Sequence, residues 1–289
     1  MEQPPRTHLT KGVSFYKKAW ARFLENKTSI SGLIILLSLV LIALLAPLIS
    51  PHDPTQQYWG QELVPPSARF PLGTDSFGTD VLSKIIWGAR TSLVVGIVSV
   101  SIMSAIGVTL GSLSGYHGGR IDSIVMRITD IFLCVPTILL LIVIASTLAT
   151  RNLLITMVII GLVSWPQMAR VTRSQFLSLR EETFVEAARV AGASNIRIIL
   201  RHILPSALSP IIIVATIQIA NAIIAESTLS FLGLGDPSAI SWGNLLSRGR
   251  DTLREAWWVA TFPGLAIFIT VLGLNLVGDG LRDAFDVRL

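Results

Sequence analysis

The sequence predicts an all-α polytopic membrane protein with six transmembrane helices. Three observations support this fold class: long apolar runs recur along the 289 residues, 51% of the residues are hydrophobic, and only 14% are charged. An ordinary soluble domain has about 25% charged residues. A soluble fold of this sequence would have to expose large apolar patches, whereas a bilayer accommodates them directly.

Six apolar runs approach or reach the roughly 20 residues with which a helix crosses a bilayer. They are 30–49, 91–114, 131–149, 153–169, 207–225 and 259–277. The fourth run is short and contains Ser164, Pro166 and Gln167. Proline is tolerated in a membrane helix where neighbouring groups satisfy the freed carbonyl, so we still expect a span there. The first run is too long for a signal peptide and lacks a cleavage motif, so we expect it to remain as a helix.

The distribution of Lys and Arg between the loops predicts the orientation of the chain. If the N-terminus is cytoplasmic, most of the 23 basic residues fall in cytoplasmic segments. Both termini are therefore expected to be cytoplasmic. The expected location is a bacterial or archaeal plasma membrane, which is the inner membrane if the cell is Gram-negative. The net charge of +5 does not indicate nucleic-acid binding, because the basic residues lie between the spans and form no continuous stripe.

The chain is expected to have two parts. Residues 1–90 comprise a cytoplasmic tail, the first transmembrane helix and an external segment rich in proline and glycine, and residues 91–289 form a five-helix core. In the second span, glycine recurs every four residues, which leaves a smooth strip on one helix face for close packing against another helix. The four glycines are Gly107, Gly111, Gly115 and Gly119.

The largest cytoplasmic loop, 170–206, is expected to hold two short helices. Thr183 and Glu186 have the spacing of a capping box, which predicts a helix from 184 to about 191. Gly192 suits the left-handed position that follows a helix. Ser194 is placed to cap a second helix, which Pro205 is expected to end before the fifth span.

Both short helices mix apolar and basic side chains. The apolar residues Phe184, Val185, Val190 and Ile196 lie near Arg189 and Arg197. Such a surface suits a groove on another protein, and it equally suits a helix that lies on lipid headgroups with its arginines near anionic lipid. The residues alone leave these two interpretations open.

A motif in this loop resembles a known family. Glu186-Ala187-Ala188, three residues, Gly192, nine residues and then His202-Ile-Leu-Pro205 resemble the EAA loop of ABC importer permeases, in which Ile is usual at the position of His202. A histidine there is similar to the peptide-permease branch. The resemblance implies that this loop, 183–205, is the coupling helix region that docks on an ATPase subunit. It implies that role for a set of residues: Thr183, Glu186, Ala187, Ala188, Gly192, His202 and Pro205. Glu186 could instead serve only as a capping residue.

Motifs elsewhere are similar to C-type dipeptide and oligopeptide permeases. They include Leu72-Gly-Thr-Asp75, Gly115-Tyr-His-Gly-Gly119 and Ser230-Phe-Leu-Gly-Leu-Gly235, and the tail 286–289 fits with one change. Thr79 departs from the pattern, since the family usually has Arg there. The resemblance implies a type I importer permease core with one added N-terminal helix.

The resemblance also implies partners and cargo. The partners would be a second homologous permease, two cytoplasmic ABC ATPase subunits and an extracytoplasmic solute-binding protein, all acting at a lipid membrane. Di- or oligopeptides are the first substrate expectation, and nickel or other metal chelates, glutathione and other small solutes stay open.

Several kinds of chemistry are missing from the sequence. It contains no phosphate-binding Gly-rich loop followed by Lys-Ser/Thr, so the chain is not expected to be an enzyme or to bind ATP itself. The four histidines lack the spacing of a metal site, so no metal or cofactor is expected. A competing interpretation is an ion-coupled secondary transporter, which would need a titratable group near mid-membrane. None of the 18 acidic residues falls within the six predicted spans, which disfavours it.

Polar residues in or near the spans are candidates for the transport pathway. Amide side chains here either line a polar path or bond between helices, and the four are Gln167, Gln218, Asn221 and Asn275. Glu226, at the outer end of the fifth span, either faces an outer vestibule that attracts a cationic group or pairs with an external arginine. Asp130 is expected to pair with Arg127, one helical turn earlier.

Overall fold

The computed structural model describes residues 15–148 and 151–285. The N-terminal tail before residue 15, the last residue of the predicted third span and the tail motif 286–289 lie outside this range. Within the described ranges the regular structure consists of eleven α-helices, here numbered in chain order, one π-helical segment (Ile199–Ile203) and one isolated bridge between Thr74 and Asp80. The helices are α1 (Phe15–Glu25), α2 (Lys27–Ile49), α3 (Val81–His117), α4 (Gly119–Cys134), α5 (Thr137–Thr147), α6 (Leu153–Leu179), α7 (Thr183–Val190), α8 (Asn195–Ile198), α9 (Leu204–Phe231), α10 (Trp242–Asp251) and α11 (Trp258–Phe285).

Five of these helices are long and apolar enough to cross a membrane: α2, α3, α6, α9 and α11. The α4–α5 pair forms a sixth, broken span. The prediction of an all-α polytopic fold is therefore confirmed, with six spans when the broken pair counts as one. The helices extend beyond the predicted apolar runs; α3 begins at Val81 and has 37 residues. Backbone hydrogen bonds continue a helix into its polar flanks after the apolar stretch has ended.

The third span is not the single helix that the apolar run 131–149 predicted. α4 and α5 meet at an angle of 85°. The break lies at Val135, which has extended backbone angles (φ −97°, ψ 130°) and is followed by Pro136. Proline disfavours helical geometry in the residue before it, so this bend has a local cause in the sequence.

The glycine strip of α3 lies directly against α6. A Cβ added at Gly107 would lie 2.6 Å from Met168 Cβ, and one added at Gly111 would lie 2.5 Å from the Ala169 carbonyl oxygen. Gly115 meets Phe176 in the same way. Gly119 differs, since it has φ +56° and begins α4 instead of facing α6. Three of the four glycines therefore allow the two helix backbones to approach closely.

Two tryptophans hold the connecting segments 50–80 and 232–257 at the end of the bundle where α3 begins. Trp242 Nε1, at the start of α10, donates to the Ile85 carbonyl at 3.0 Å. Trp258 Nε1, at the start of α11, donates to the Thr74 carbonyl at 3.1 Å. A buried indole N–H requires such a partner, and the rings supply a large apolar contact. The segment 50–80 and the segment 232–257 are thereby packed together over the N-terminus of α3.

Candidate coupling loop and translocation cavity

The first short helix of the α7–α8 loop (residues 180–203) begins one residue earlier than the sequence predicted. α7 starts at Thr183, and Glu182 is the N-cap residue, with extended angles (φ −76°, ψ 146°). The Glu186 amide donates to the Glu182 carbonyl at 3.3 Å. Because that amide is bonded to the backbone, the predicted capping box of Thr183 and Glu186 is wrong, and both residues lie in the first turn of α7.

Gly192 makes the turn between the two short helices. It has φ +80°, a conformation that residues with a Cβ rarely adopt. Its N–H donates to the Arg189 carbonyl, and the Ala193 N–H donates to the Ala188 carbonyl, each at 3.0 Å. These bonds satisfy carbonyls at the end of α7, as is usual where a helix ends in a left-handed residue.

The second short helix does not end at Pro205. α8 continues through a π-helical segment, Ile199–Ile203, directly into α9. Pro205 lies in the first turn of α9, where its missing N–H and fixed φ are tolerated. Ser194 precedes α8 as expected, although among the described residues no side-chain hydrogen bond caps that helix. α8 and the fifth span are therefore one continuous helical element.

The loop is held to the bundle by one set of side chains and exposes another. Val185 and Ile198 are fully buried in the main apolar core. The Tyr116 hydroxyl, at the end of α3, donates to Asn195 Oδ1 at 2.9 Å. By contrast, Val190 is 90% exposed and Ile196 is 71% exposed. The loop thus presents apolar side chains to its surroundings from a fixed position.

The motif residues are distributed over this surface. Glu186 and Ala187 are exposed on α7, while Ala188 is half-buried. His202 is half-buried in the π-helical segment, and its carbonyl accepts a hydrogen bond from Ser206 Oγ at 3.2 Å. The small side chains at 187 and 188 leave the exposed face of α7 flat enough for another backbone to approach.

A cavity of about 300 Å³ lies between α3, α4, α5, α6 and α9. Its polar lining residues are uncharged among the residues that the structure describes, and they are Ser99, Thr137, Ser164, Gln167, Gln218, Asn221 and Thr228. The remaining lining is apolar and includes Met103, Phe132 and Leu141. A mixed, uncharged cavity of this kind suits a small polar solute that is not held by a fixed charge.

Three of the predicted pathway residues form a chain of amides in this cavity. Asn221 Nδ2 donates to Gln218 Oε1 at 2.5 Å, and Gln218 Nε2 donates to Gln167 Oε1 at 3.2 Å. Gln218 is buried, whereas Gln167 and Asn221 are exposed. Asn275 is exposed on α11, and the cavity lining comes instead from the five helices named above.

Neither predicted environment of Glu226 is correct. The residue is fully buried, and its Oε1 accepts hydrogen bonds at 2.8 Å from both Ser230 Oγ and Ser241 Oγ. Ser241 Oγ also accepts the Asn244 N–H at the start of α10. Glu226 therefore bonds to serine hydroxyls instead of an external arginine or an outer vestibule, and it ties α10 to α9. Serine at 230, one helical turn after Glu226, was the signal in the sequence.

A buried ion pair between the segment 50–80 and the start of α3 was missed by the sequence analysis. Lys84 Nζ lies 2.6 Å from Asp75 Oδ2, and both side chains are buried. Burial raises the pKa of Asp75, but the charge and hydrogen bond of Lys84 outweigh burial and leave the pKa below its ordinary value. The Thr79 N–H donates to Asp75 Oδ1 at 3.1 Å. Thr79, the residue that departs from the family pattern, thus contributes its backbone N–H to this carboxylate.

Two ion pairs join α4 to α6. Asp122 accepts hydrogen bonds from Arg173 Nε and Nη2, and from Ser114 Oγ of α3. Asp130 pairs with Arg170 at 2.5 Å, so its predicted pairing with Arg127 is wrong. The packing of α4 against α6 places Arg170, 40 positions away in sequence, closer to Asp130 than Arg127 on the adjacent turn of α4.

Comparisons with known proteins agree with this architecture. The family model described as "Binding-protein-dependent transport system inner membrane component" matches residues 107–289. A second model, the "N-terminal TM domain of oligopeptide transport permease C", matches residues 14–66.

Two curated relatives match over nearly the whole chain. The di/tripeptide transport system permease protein DppC of Pseudomonas aeruginosa is 41% identical, covering 94% of this chain and 92% of the relative. The dipeptide transport system permease protein DppC of Alkalihalophilus pseudofirmus is 43% identical, covering 99% of this chain and 94% of the relative.

The fold is shared with a solved transporter. Two crystal forms of the MetNI methionine ABC transporter, in inward-facing conformations, match with TM-scores of 0.54 and 0.57 at 23% and 21% identity. Each match covers 70% of this chain and 96% or 97% of the other. With a family model matching more than half of the chain and relatives above 40% identity, the protein belongs to the family of binding-protein-dependent transport system inner membrane components.

Proposed function

We propose that this chain is the permease subunit of an ATP-driven, binding-protein-dependent importer of di- or oligopeptides. It forms half of the translocation pathway, and a second homologous permease forms the other half. Two cytoplasmic ABC ATPases hydrolyse the ATP, and an extracytoplasmic binding protein delivers the peptide. Both termini then lie in the cytoplasm. The family membership and the peptide permeases among the relatives support this assignment.

The main support for the coupling role is that Val190 and Ile196 are exposed, although other side chains fix the loop against the bundle. Fully buried Val185 and Ile198 fix the loop, so the exposed side chains are not simply frayed ends. Exposed apolar side chains grouped on one surface mark a contact with a partner. The flanking Glu186 and Arg189 add polar groups of the kind found at the rim of an interface.

The continuous α8–π–α9 element supplies a mechanical path from this loop to the cavity. In the proposed cycle, ATP-driven closure of the ATPases pushes the two coupling loops of the permease pair together. Because α9 carries both Gln218 and Asn221, movement of the loop displaces a wall of the cavity. The Tyr116–Asn195 hydrogen bond also joins the loop to the end of α3. The permease pair would then alternate between inward-open and outward-open states, and this chain itself would catalyse no reaction.

The coupling role can be tested with Val190→Asp in the co-expressed transporter. Leu253→Asp is the matched control, since Leu253 is also an exposed apolar side chain but lies next to α11, at the opposite end of α3. We expect the Val190 variant to insert normally and to lose co-purification of the ATPase, while the Leu253 variant retains it. Retention of the ATPase by both variants would contradict the proposed docking surface.

The transport assignment is tested separately with the unsubstituted complex in proteoliposomes. Labelled dipeptide should accumulate only when ATP and the binding protein are both supplied. Accumulation driven by an ion gradient without ATP would identify a secondary transporter instead. Uptake of a nickel chelate or glutathione in place of the dipeptide would retain the importer but change its substrate.

A further inference from the structure

The amide chain in the cavity has hydrogen-bonding capacity that its internal bonds do not use. We propose that Gln167, Gln218 and Asn221 form a subsite that hydrogen-bonds the peptide bond of the solute. The subsite recognises the backbone of the peptide and not the charge of its side chains. This subsite deepens the proposed function and rests on it.

The first argument is the bonding inventory of the three amides. A carboxamide has two N–H donors and an oxygen with two lone pairs. Buried Gln218 uses its oxygen to accept from Asn221 and its nitrogen to donate to Gln167 and to Met103 Sδ. The exposed Gln167 and Asn221 each enter only one of these two bonds, so donors and acceptors remain on both sides of Gln218. A peptide bond presents one donor and one acceptor on opposite edges and matches that arrangement.

The second argument is the contrast with the hydroxyl groups nearby. Thr228 Oγ1, which lines the same cavity, donates to the Ile224 carbonyl of its own helix at 2.8 Å. Serine and threonine commonly bond in this way to the preceding helical turn. Gln167 and Asn221 lie in helices whose neighbouring residues are mostly apolar. Exposing their amides to lipid would cost free energy, because lipid offers no hydrogen-bond partner. Their placement is consistent with facing a polar solute.

The third argument is electrostatic. The cavity lining is uncharged within the part of the chain that the structure describes. A fixed charge in a low-dielectric path would favour solutes of the opposite charge and repel others strongly. Neutral amides bind the backbone, which all peptides share, so such a path can pass peptides with acidic, basic or apolar side chains.

The test compares a dipeptide with its ester analogue in the reconstituted complex. The ester has nearly the same shape but replaces the backbone N–H with oxygen, which removes one donor. One hydrogen bond contributes about 0.5–1.5 kcal/mol, which corresponds to a preference of roughly 2- to 10-fold for the amide over the ester. The binding protein is kept the same and saturated, so its own preference cancels when permease variants are compared.

The variants are Gln167→Met and Asn221→Leu, which keep side-chain size and remove hydrogen bonding. Asn221→Leu removes an amide oxygen that accepts in neither internal bond, so it should reduce the amide-to-ester ratio of uptake by about 2- to 10-fold relative to the unsubstituted complex. Gln167→Met removes N–H donors that would bind the carbonyl shared by amide and ester, so it should lower the uptake of both substrates. Asn221→Gln, which restores an amide, should recover part of that ratio. Thr228→Val is the matched control in the same cavity and should leave the ratio unchanged, because its hydroxyl is bonded within α9. Asn221→Ala makes the same test with a smaller side chain, so poor insertion of Asn221→Leu alone does not decide the result.

The outcomes separate this inference from the assignment of function. Absence of uptake of either substrate by the unsubstituted complex would contradict the peptide-importer proposal itself. Uptake with the same amide-to-ester ratio in all variants would overturn the subsite and leave the importer intact. Equal loss of both substrates in Asn221→Leu and Asn221→Ala, at an unchanged ratio, would also overturn it, since the amide would then bond to the second permease or support the fold.

Discussion

Asp122 should contribute far more to stability than Asp130, although both lie on α4 and both pair with an arginine of α6. Asp122 binds Arg173 through two hydrogen bonds and Ser114 through a third, so one carboxylate joins three helices. Its side chain is 19% exposed and that of Arg173 is 30% exposed. Asp130 and Arg170 share one bond and are 58% and 52% exposed.

The magnitudes follow from this difference in geometry. A hydrogen bond to a charged group contributes about 1.5–3 kcal/mol, and partial exposure favours the lower end of that range. We therefore expect Asp122→Asn to cost about 1.5–2 kcal/mol. An exposed ion pair contributes about 0–1 kcal/mol, so Asp130→Asn should cost about 0.5 kcal/mol.

Thermal unfolding of the purified complex in mild detergent measures both variants. With a shift of about 2–4 °C per kcal/mol for a chain of this size, Asp122→Asn should lower Tm by roughly 3–8 °C. Asp130→Asn should lower it by roughly 1–2 °C, and that effect should disappear at high salt because the pair is exposed. Equal shifts of the two variants, or a larger one for Asp130, would refute the reasoning from geometry.

Three further predictions concern other contacts. Gly111→Ala should lower the free energy of unfolding by about 1–3 kcal/mol in the same assay, because the new Cβ would lie 2.5 Å from a carbonyl oxygen of α6. Gly264→Ala is the control and should be neutral or stabilising, because its Cβ would lie 3.9 Å from its nearest neighbour. Glu226→Leu should leave the Ser230 and Ser241 hydroxyls without their acceptor and increase hydrogen exchange in α10 but not in α7, a result that equal exchange would contradict. The pKa of Asp75 is lowered from its ordinary value of 3.8, so the ionised carboxylate stabilises the fold above pH 3.8. This stabilisation is lost as the pH falls through the lower pKa of the folded state. The Tm difference between Asp75→Asn and the unsubstituted protein should therefore stay constant from about pH 7 to 5 and close only below pH 3.8.

The spans were predictable from the sequence because their signal is local. Apolar runs placed α2, α3, α6, α9 and α11 correctly, since each run by itself exceeds or approaches the bilayer thickness. The left-handed turn at Gly192 was likewise a local property of one residue. The bend in the third span also had a local cause in Pro136, but the apolar run continues through it and hid the break.

The pairings that failed depend on tertiary packing. Asp130 had a basic residue one turn away on its own helix, yet the angle between α4 and α6 brings Arg170 closer. Glu226 had no basic neighbour in sequence, and its partner Ser241 comes from the segment that folds back over α9. Sequence spacing identifies neighbours along one helix, whereas these partners are set by where separate helices cross.

The helix α9 connects the features on which the functional proposals depend. It continues from the exposed α7–α8 loop at one end, carries Gln218 and Asn221 in the cavity, and places Glu226 among serine hydroxyls near its other end. A helix transmits displacement along its axis as a rigid element. In α9 the backbone departs from regular α-helical geometry only where the π-helical segment Ile199–Ile203 leads into it. A push on the loop is therefore expected to move the amide chain, while the bonds of Glu226 to Ser241 hold the far end against α10. In the proposed transport cycle the cavity wall would then change position relative to α3 and α6, which is the movement that alternating access requires.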